Sequence, residues 1–277
     1  KRVGDTMRKR RPFTHIALIL AGIVMMIPFI WLLASTLKTN AEINQVPPTF
    51  FPSSPTFANY VNVFKDFNIG VYFMNSVMIS TVKTFIGVYT SAFAAFVFAK
   101  YEFRFKKLIF GTVLFSMMVP AMITLIPSYQ IINTFNWIDR YIALVMPVFF
   151  SAFGIFMMRQ YITSAIPDDY IEAARVDGAS EIRIFHSIII PMSVNMISAL
   201  SIFLFLWNWE DFLWPYLVLN SESKFPLAVA LNMFSGQNNT DYGGLFAATS
   251  ITILPVVIVY LFLQKRFIEG VSMSGVK

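Results

Sequence analysis

Long apolar runs separated by short polar segments fill most of the chain. Six of them are long enough to be helical membrane spans: residues 14–37, 71–99, 108–130, 141–163, 192–218 and 243–264. A helix rises about 1.5 Å per residue and a bilayer core is about 30 Å thick, so about 20 apolar residues cross it. The first run, Ile16 to Leu37, is about 33 Å long as helix. It follows a basic tail, as the apolar region of a signal peptide does, but it is too long for one and no clear small-residue cleavage site follows. The pattern predicts an all-α polytopic membrane protein, with a single transmembrane domain, residues 14–277, after a tail, residues 1–13.

Two connecting segments have their own character. From Thr39 to Gly70 the chain is rich in Pro, Asn and aromatic residues, with PPTFFPSSPTF turning it sharply, which predicts an ordered loop of short helical or extended pieces. From Asn220 to Tyr242 the apolar centre, Pro226 to Phe234, predicts a short helix at or dipping into the outer face. No repeat of fixed period is visible.

Composition agrees with the pattern: 57% hydrophobic, 17% aromatic and 13% charged residues lie outside the range of soluble domains. A net charge of +6 would raise nucleic-acid binding in a soluble protein, but the basic residues lie between apolar runs rather than in one patch, so no nucleic-acid partner is expected. Placing the N-terminus in the cytoplasm puts sixteen basic residues inside: six in the tail, Lys100, Arg104, Lys106, Lys107, Arg159, Arg175, Arg183, Lys265, Arg266 and Lys277. Only Lys38, Lys65, Arg140 and Lys224 fall outside. That bias places both termini and the 164–191 loop in the cytoplasm. Without cysteine, and with His15 and His186 as the only histidines, disulfides and thiolate metal sites are excluded and a histidine site is not expected.

The 164–191 loop is polar and helix-prone. Pro167, Asp168 and Asp169 suit a helix start, where carboxylates oppose the positive end of the dipole. Gly178 is a natural stop, and Ser180 can cap a second helix whose Ile182, Phe185 and Ile189 fall on one face, with Pro191 marking the passage into the fifth span. Interfacial anchors carry basic polar faces. Here Asp168, Asp169, Glu172, Asp177 and Glu181 stand against Arg175 and Arg183, which favours a protein partner over lipid.

The spacing Glu172-Ala173-Ala174, three residues, Gly178, nine residues, Ile188-x-Ile190-Pro191 resembles the EAA signature of the permeases of bacterial ABC importers. Ile190 stands where Leu is usual, a volume-conserving swap. The segment FPLAVALNMF, the six-span layout and the closing EGVSMSGVK resemble the six-span subunit of maltose-type carbohydrate importers, from residue 12 to the end. The resemblance implies a type I ABC importer permease fold in the bacterial inner membrane. It also implies an ATPase-docking role for Glu172, Ala173, Ala174, Asp177, Gly178, Ala179, Ile188 and Pro191. The implied partners are a second permease subunit, two ATPase subunits that bind ATP and Mg, an extracytoplasmic solute-binding protein, the sugar and membrane lipid. The chain itself would hold no cofactor and perform no bond chemistry, serving alternating access instead.

Candidate path residues lie elsewhere. The stretch WNWEDFLWP, Trp207 to Pro215, sets aromatic faces beside Asn208, Glu210 and Asp211, a combination that suits sugar binding. An aromatic belt at the outer membrane surface explains the tryptophans equally well. Lys83 interrupts the second span, at about 2.5 to 3.5 kcal/mol for a central position; a snorkelling or subunit-interface lysine is favoured over a substrate contact. Pro120, Pro127, Pro147 and Pro255 fall within spans, where they kink or merely pack, and His186 is expected to pack beside the loop. Competing readings are an ABC permease for a non-sugar solute, a secondary transporter and a membrane enzyme. The first four spans lack central acids, and no clustered catalytic set or GxxxxGK[ST] pattern is present.

Overall fold

A computed structural model describes residues 2–234 and 240–274, with side chains from 13 to 234 and from 240 to 262. The side chains of the basic tail, of Lys265 and Arg266, and of EGVSMSGVK with Lys277 therefore lie outside the described ones. Among the described residues the regular structure is helical throughout.

Among the described residues, four helices are long and apolar enough to cross a bilayer: Phe13–Ser35, Ile69–Lys100, Ile142–Ala165 and Tyr242–Phe262. Two bent pairs raise the number to six if each is one span: Lys106–Met118 with Ala121–Thr134, at 108°, and Glu181–Met192 with Val194–Glu210, at 81°. The third expected span, 108–130, is thus not one straight helix. Val119 is extended (φ −79°, ψ 120°) before Pro120, because a residue preceding proline is pushed out of the helical region and proline offers no N–H to continue the ladder.

One further expected span needs correcting, and the fourth is a single candidate span with a tight turn near its start. The fourth, 141–163, opens as a short helix, Ile142–Val145, passes through a tight turn, Met146–Phe150, that contains Pro147, and restarts at Ala152–Ala165. Ser151 caps the restart by accepting the Gly154 N–H, satisfying one of the orphan donors of a helix start. The fifth, 192–218, stops at Glu210; Asp211 is extended (ψ 106°) and a separate short helix runs over Leu213–Val218. Pro215 lacks the N–H that would bond the Asp211 carbonyl, and its ring opposes that carbonyl. Pro127 and Pro255 stay inside continuous helices.

The chain forms two compact units, residues 1–69 with 233–253, and residues 70–232 with 254–277. In the first, the Asn59 amide donates to the carbonyls of Thr36 and Lys38, Asn40 donates to Asp241 at 2.8 Å, and Trp31 meets Phe246 edge-on at 5.5 Å. Its connector includes the short helices Asn40–Ile43 and Ala58–Asp66.

In the second unit, one apolar cluster joins Val88, Ala92 and Phe96 from the long second helix, Met158 and Ile162 from the fourth, Ile184, Phe185 and Ile189 from the loop, and Met196, Leu200 and Leu204 from the fifth. The loop is therefore rooted in the bundle core. The second and fourth helices approach closely where Gly154 faces Ser91: a Cβ at Gly154 would lie 2.2 Å from Ser91 Oγ and 2.9 Å from its Cβ. Small residues at such crossings let backbones approach where a side chain would hold them apart.

Candidate functional site

Within the 164–191 loop, Pro167 is the N-cap of a helix over Asp168–Val176, with Asp168 and Asp169 in its first turn. Lys100, at the end of the second helix, places its ammonium 2.5 Å from both the Ile166 carbonyl and the Asp168 carboxylate, and Ile171 is buried below. The helix ends in a Schellman motif. The Ala179 N–H donates to the Ala174 carbonyl (2.9 Å) and the Gly178 N–H to the Arg175 carbonyl (3.0 Å), with Gly178 at φ +79°. Glycine adopts this left-handed conformation without a Cβ penalty. Ala174 and Ala179, the two residues such a motif brings together, both pack against the core cluster. Ala174, Gly178 and Ala179 are thus successive parts of one helix stop.

Ser180 caps the next helix by accepting the Arg183 N–H. That helix, Glu181–Ile184, passes through a π-turn at Phe185–Ile189 before Ile190–Met192 and the bend at Ser193. The π-turn corrects the expected apolar face: Ile184, Phe185 and Ile189 are buried whereas Ile182 is 65% exposed. A wider turn resets the phase, so Ile184 and Ile189, five apart, share a face that an ordinary helix would give to residues three and four apart. His186 packs alongside, with Nδ1 2.8 Å from the Ile182 carbonyl and Nε2 3.2 Å from the Tyr89 hydroxyl.

The two loop helices are braced across Gly178. Arg175 donates to both carboxylate oxygens of Glu181, at 2.9 and 3.4 Å, the Tyr101 hydroxyl donates to the same carboxylate, and the guanidinium lies 5.3 Å from the centre of the Tyr101 ring. The Arg175 hydrogen bond, then that of Tyr101, holds the Glu181 carboxyl below its ordinary range. Burial, then the Glu181 acceptor, pushes the Tyr101 hydroxyl up. Glu181 is therefore committed within the chain. Beside the brace lies a cleft of about 240 Å³ lined by Ala174, Asp177, Ala179, Arg183, Ile184, Ser187 and Ile188.

Of the eight expected docking residues, Ala174, Asp177, Ala179 and Ile188 line this cleft, while Glu172, Ala173, Gly178 and Pro191 are exposed and are not among its walls. Sequence reading missed Arg183, Ser187 and Ile184 as cleft walls, and Tyr170 and Val176 as exposed neighbours. Spacing from Ser180 could have found Arg183 and Ser187, but the π-turn that places Ile184 leaves no local signal.

The expected path residues separate into two groups. Lys83 pairs with Asp211 at 2.8 Å, their side chains 4% and 24% exposed, and the Asn208 amide donates to Thr84 at 3.3 Å. Lys83 is thus not a snorkelling lysine; the extended residue after Glu210 delivers a carboxylate to it. Trp209 is buried, edge-on to Phe73 and stacked on Phe205, and Trp214 donates to the Ala143 carbonyl at 3.0 Å. Trp207 and Glu210, three apart and so on one helix face, are exposed, Trp207 at 52%.

Residues 87–272 match the model of the family described as the binding-protein-dependent transport system inner membrane component. Among the relatives, the arabinooligosaccharides transport system permease protein AraQ of Halalkalibacterium halodurans is 30% identical over 92% of each chain. The diacetylchitobiose uptake system permease protein NgcG of Streptomyces coelicolor is 31% identical over 96% of this chain and 88% of its own. A chain of a bacterial ABC transporter involved in the import of the acidic polysaccharide alginate has the same fold, with a TM-score of 0.81 over 94% of this chain and 98% of its own at 23% identity.

The chain belongs to the binding-protein-dependent transport system inner membrane component family. It is a multi-pass membrane permease subunit of an ABC importer, not an enzyme.

Proposed function

We propose that this permease imports a carbohydrate, an oligosaccharide or related sugar, and that Trp207 and Glu210 face its path. The observation that carries the reading is the division of residues 207–211: Asn208 and Asp211 are tied to Thr84 and Lys83, while Trp207, its ring edge-on to Phe153, and Glu210 are exposed. An aromatic face beside a carboxylate suits a sugar, whose C–H face stacks and whose hydroxyls donate. The relatives' names, arabinooligosaccharides and diacetylchitobiose, support that substrate class.

A second permease subunit completes the path, a solute-binding protein delivers the sugar, and two ATPases dock at the cleft beside Gly178. ATP and Mg belong to those ATPases. Both termini and the 164–191 loop face them in the cytoplasm, a reading that the charge bias supports. Nucleotide binding and hydrolysis then bias the permease between outward and inward states through the docked loop.

The test is sugar uptake into proteoliposomes carrying the assembled transporter. Trp207→Ala and Glu210→Gln should each lower uptake while nucleotide-driven ATP turnover persists. Wild-type uptake and selectivity in both variants would leave Trp207 as a membrane-belt residue and remove the path assignment.

A further inference from the structure

Between the second helix and the Lys106–Met118 helix, the chain gathers cations that it does not neutralise. Lys100 is engaged by Asp168, and Glu102, the acid of this connector, is taken by Lys106 at 2.7 Å. Arg104 and Lys107 are exposed and, among the described residues, neither forms a direct ion pair; Lys107 acts on Glu102 only at longer range, and Lys106 already holds that carboxylate. Arg159, from the Ala152–Ala165 helix, is half-buried. Its Nε donates to the Phe98 carbonyl (3.3 Å) and its guanidinium lies 4.2 Å from the centre of the Phe110 ring. Its two Nη groups meet no acceptor among the described residues.

Apolar side chains stand beside these charges. Phe105 and Leu108 are 58% and 66% exposed, and Arg104 lies 4.7 Å from the centre of the Phe105 ring. All of this sits where a membrane-crossing helix ends and the next apolar helix begins. Unpaired cations next to exposed apolar side chains at that depth match a phospholipid, which presents a phosphate directly above its acyl chains. Lys106 and Lys107 also stand in the first turn of their helix, where the dipole disfavours cations; a neighbouring anion offsets that cost.

We propose that Arg104, Lys107 and Arg159 bind the headgroup of an anionic phospholipid, with Phe105 and Leu108 against its chains. Orienting the chain in the membrane requires only that positive charge lie on this side. Headgroup binding draws on the guanidinium of Arg159 itself, whose planar fork offers a phosphate two parallel hydrogen bonds, a geometry that an ammonium in its place cannot reproduce.

The full chain, purified in detergent with equal phosphatidylglycerol and phosphatidylcholine, is examined by native mass spectrometry for retained lipid. The wild type should keep phosphatidylglycerol preferentially. Arg104→Gln and Lys107→Gln should each weaken retention about fivefold, and Arg159→Lys should weaken it while preserving the charge count. Lys65→Gln should leave it unchanged. Because the chain has no cysteine, a single introduced cysteine reports insertion of each variant by accessibility labelling. Equal retention of the two lipids by the wild type, or an unchanged phosphatidylglycerol preference in all three correctly inserted variants, would overturn the proposal.

Discussion

The Pro167–Met192 loop and the Trp207–Val218 segment draw on the same chemistry, carboxylates and aromatic residues near a cation, and use it in opposite ways. In the loop, Arg175 and Glu181 pair at 2.9 Å with 38% and 47% of their side chains exposed, and Asp177 and Arg183 line a cleft. In the segment, Asp211 reaches a lysine that is 4% exposed. A solvated pair can be remade with a partner protein at little cost. A largely buried pair cannot, because the Lys83 ammonium has already lost its water and depends on Asp211. The loop is thus suited to docking, and the Asp211 pair to fixing where the fifth helix stops.

The largest effect expected from that contrast is at Asp211. Asp211→Ala leaves the Lys83 ammonium buried and unpaired, which costs about 3 to 5 kcal/mol; the 24% exposure of Asp211 points to the lower end. Thermal unfolding in detergent should show the loss. The double variant Lys83→Met, Asp211→Leu should recover most of it, since replacing a buried pair by apolar groups is often nearly neutral. No recovery in the double variant would mean that the carboxylate does something besides neutralising Lys83.

Next is the crossing that carries both regions. Gly154→Ala sets a methyl against Ser91, an overpacking worth about 1 to 3 kcal/mol. Ser91→Gly should restore the melting temperature by returning the space. If it does not, the close approach at Gly154 is absent from the folded protein.

Gly178 follows, with a smaller stability effect and a functional one. A Cβ there would meet nothing within 4 Å, so the only obstacle is φ +79°. A β-branched residue should pay about 1 to 2 kcal/mol for it. Gly178→Val should abolish uptake and stimulation of the ATPase while the protein still inserts. Gly178→Asn, whose side chain tolerates the left-handed region, should keep most of both. Equal loss with Asn and Val would locate the defect in bulk at the docking surface rather than in the helix stop.

The same contrast explains what could be read before any coordinates. Caps are local: Pro167, Gly178 and Ser180 act within four residues of themselves, and their placement follows from residue type alone. The runs of the second and sixth spans were legible for a similar reason, since length and apolarity decide them. The break after Glu210 was not, because the polar residues Asn208, Glu210 and Asp211 do not by themselves end a helix, and what stops it combines Pro215 with a lysine far away in sequence. Nor was the burial of Ile184 in place of Ile182, because the π-turn is set by packing against Phe96 and its neighbours rather than by a breaker residue. Pro120 and Pro147 mark real breaks while Pro127 and Pro255 do not, a difference that proline itself does not encode.

The smallest effect is expected at Glu181, and it sharpens the comparison through pH. Its carboxyl is held below the usual 4.5 by Arg175 and Tyr101, so the folded state favours the ionised form. A depressed folded pKa contributes stability that is full above about 4.5 and disappears as pH falls through the folded value. Both partners are well solvated, so Glu181→Gln should cost under about 1 kcal/mol near neutrality. The gap between wild type and variant should shrink as pH falls below 4.5, where Glu181 becomes protonated and no longer differs in charge from Gln. Tyr101 acts at the other end, its hydroxyl raised above 10, so its contribution is intact below 10 and fades as pH rises through the folded value. Melting curves of both proteins from about pH 2.5 to pH 8 test the Glu181 side of this directly. A gap that widened on acidification, or one as large as that of Asp211→Ala, would mean that the Arg175–Glu181 brace is held as rigidly as the buried pair and could not be remade on docking.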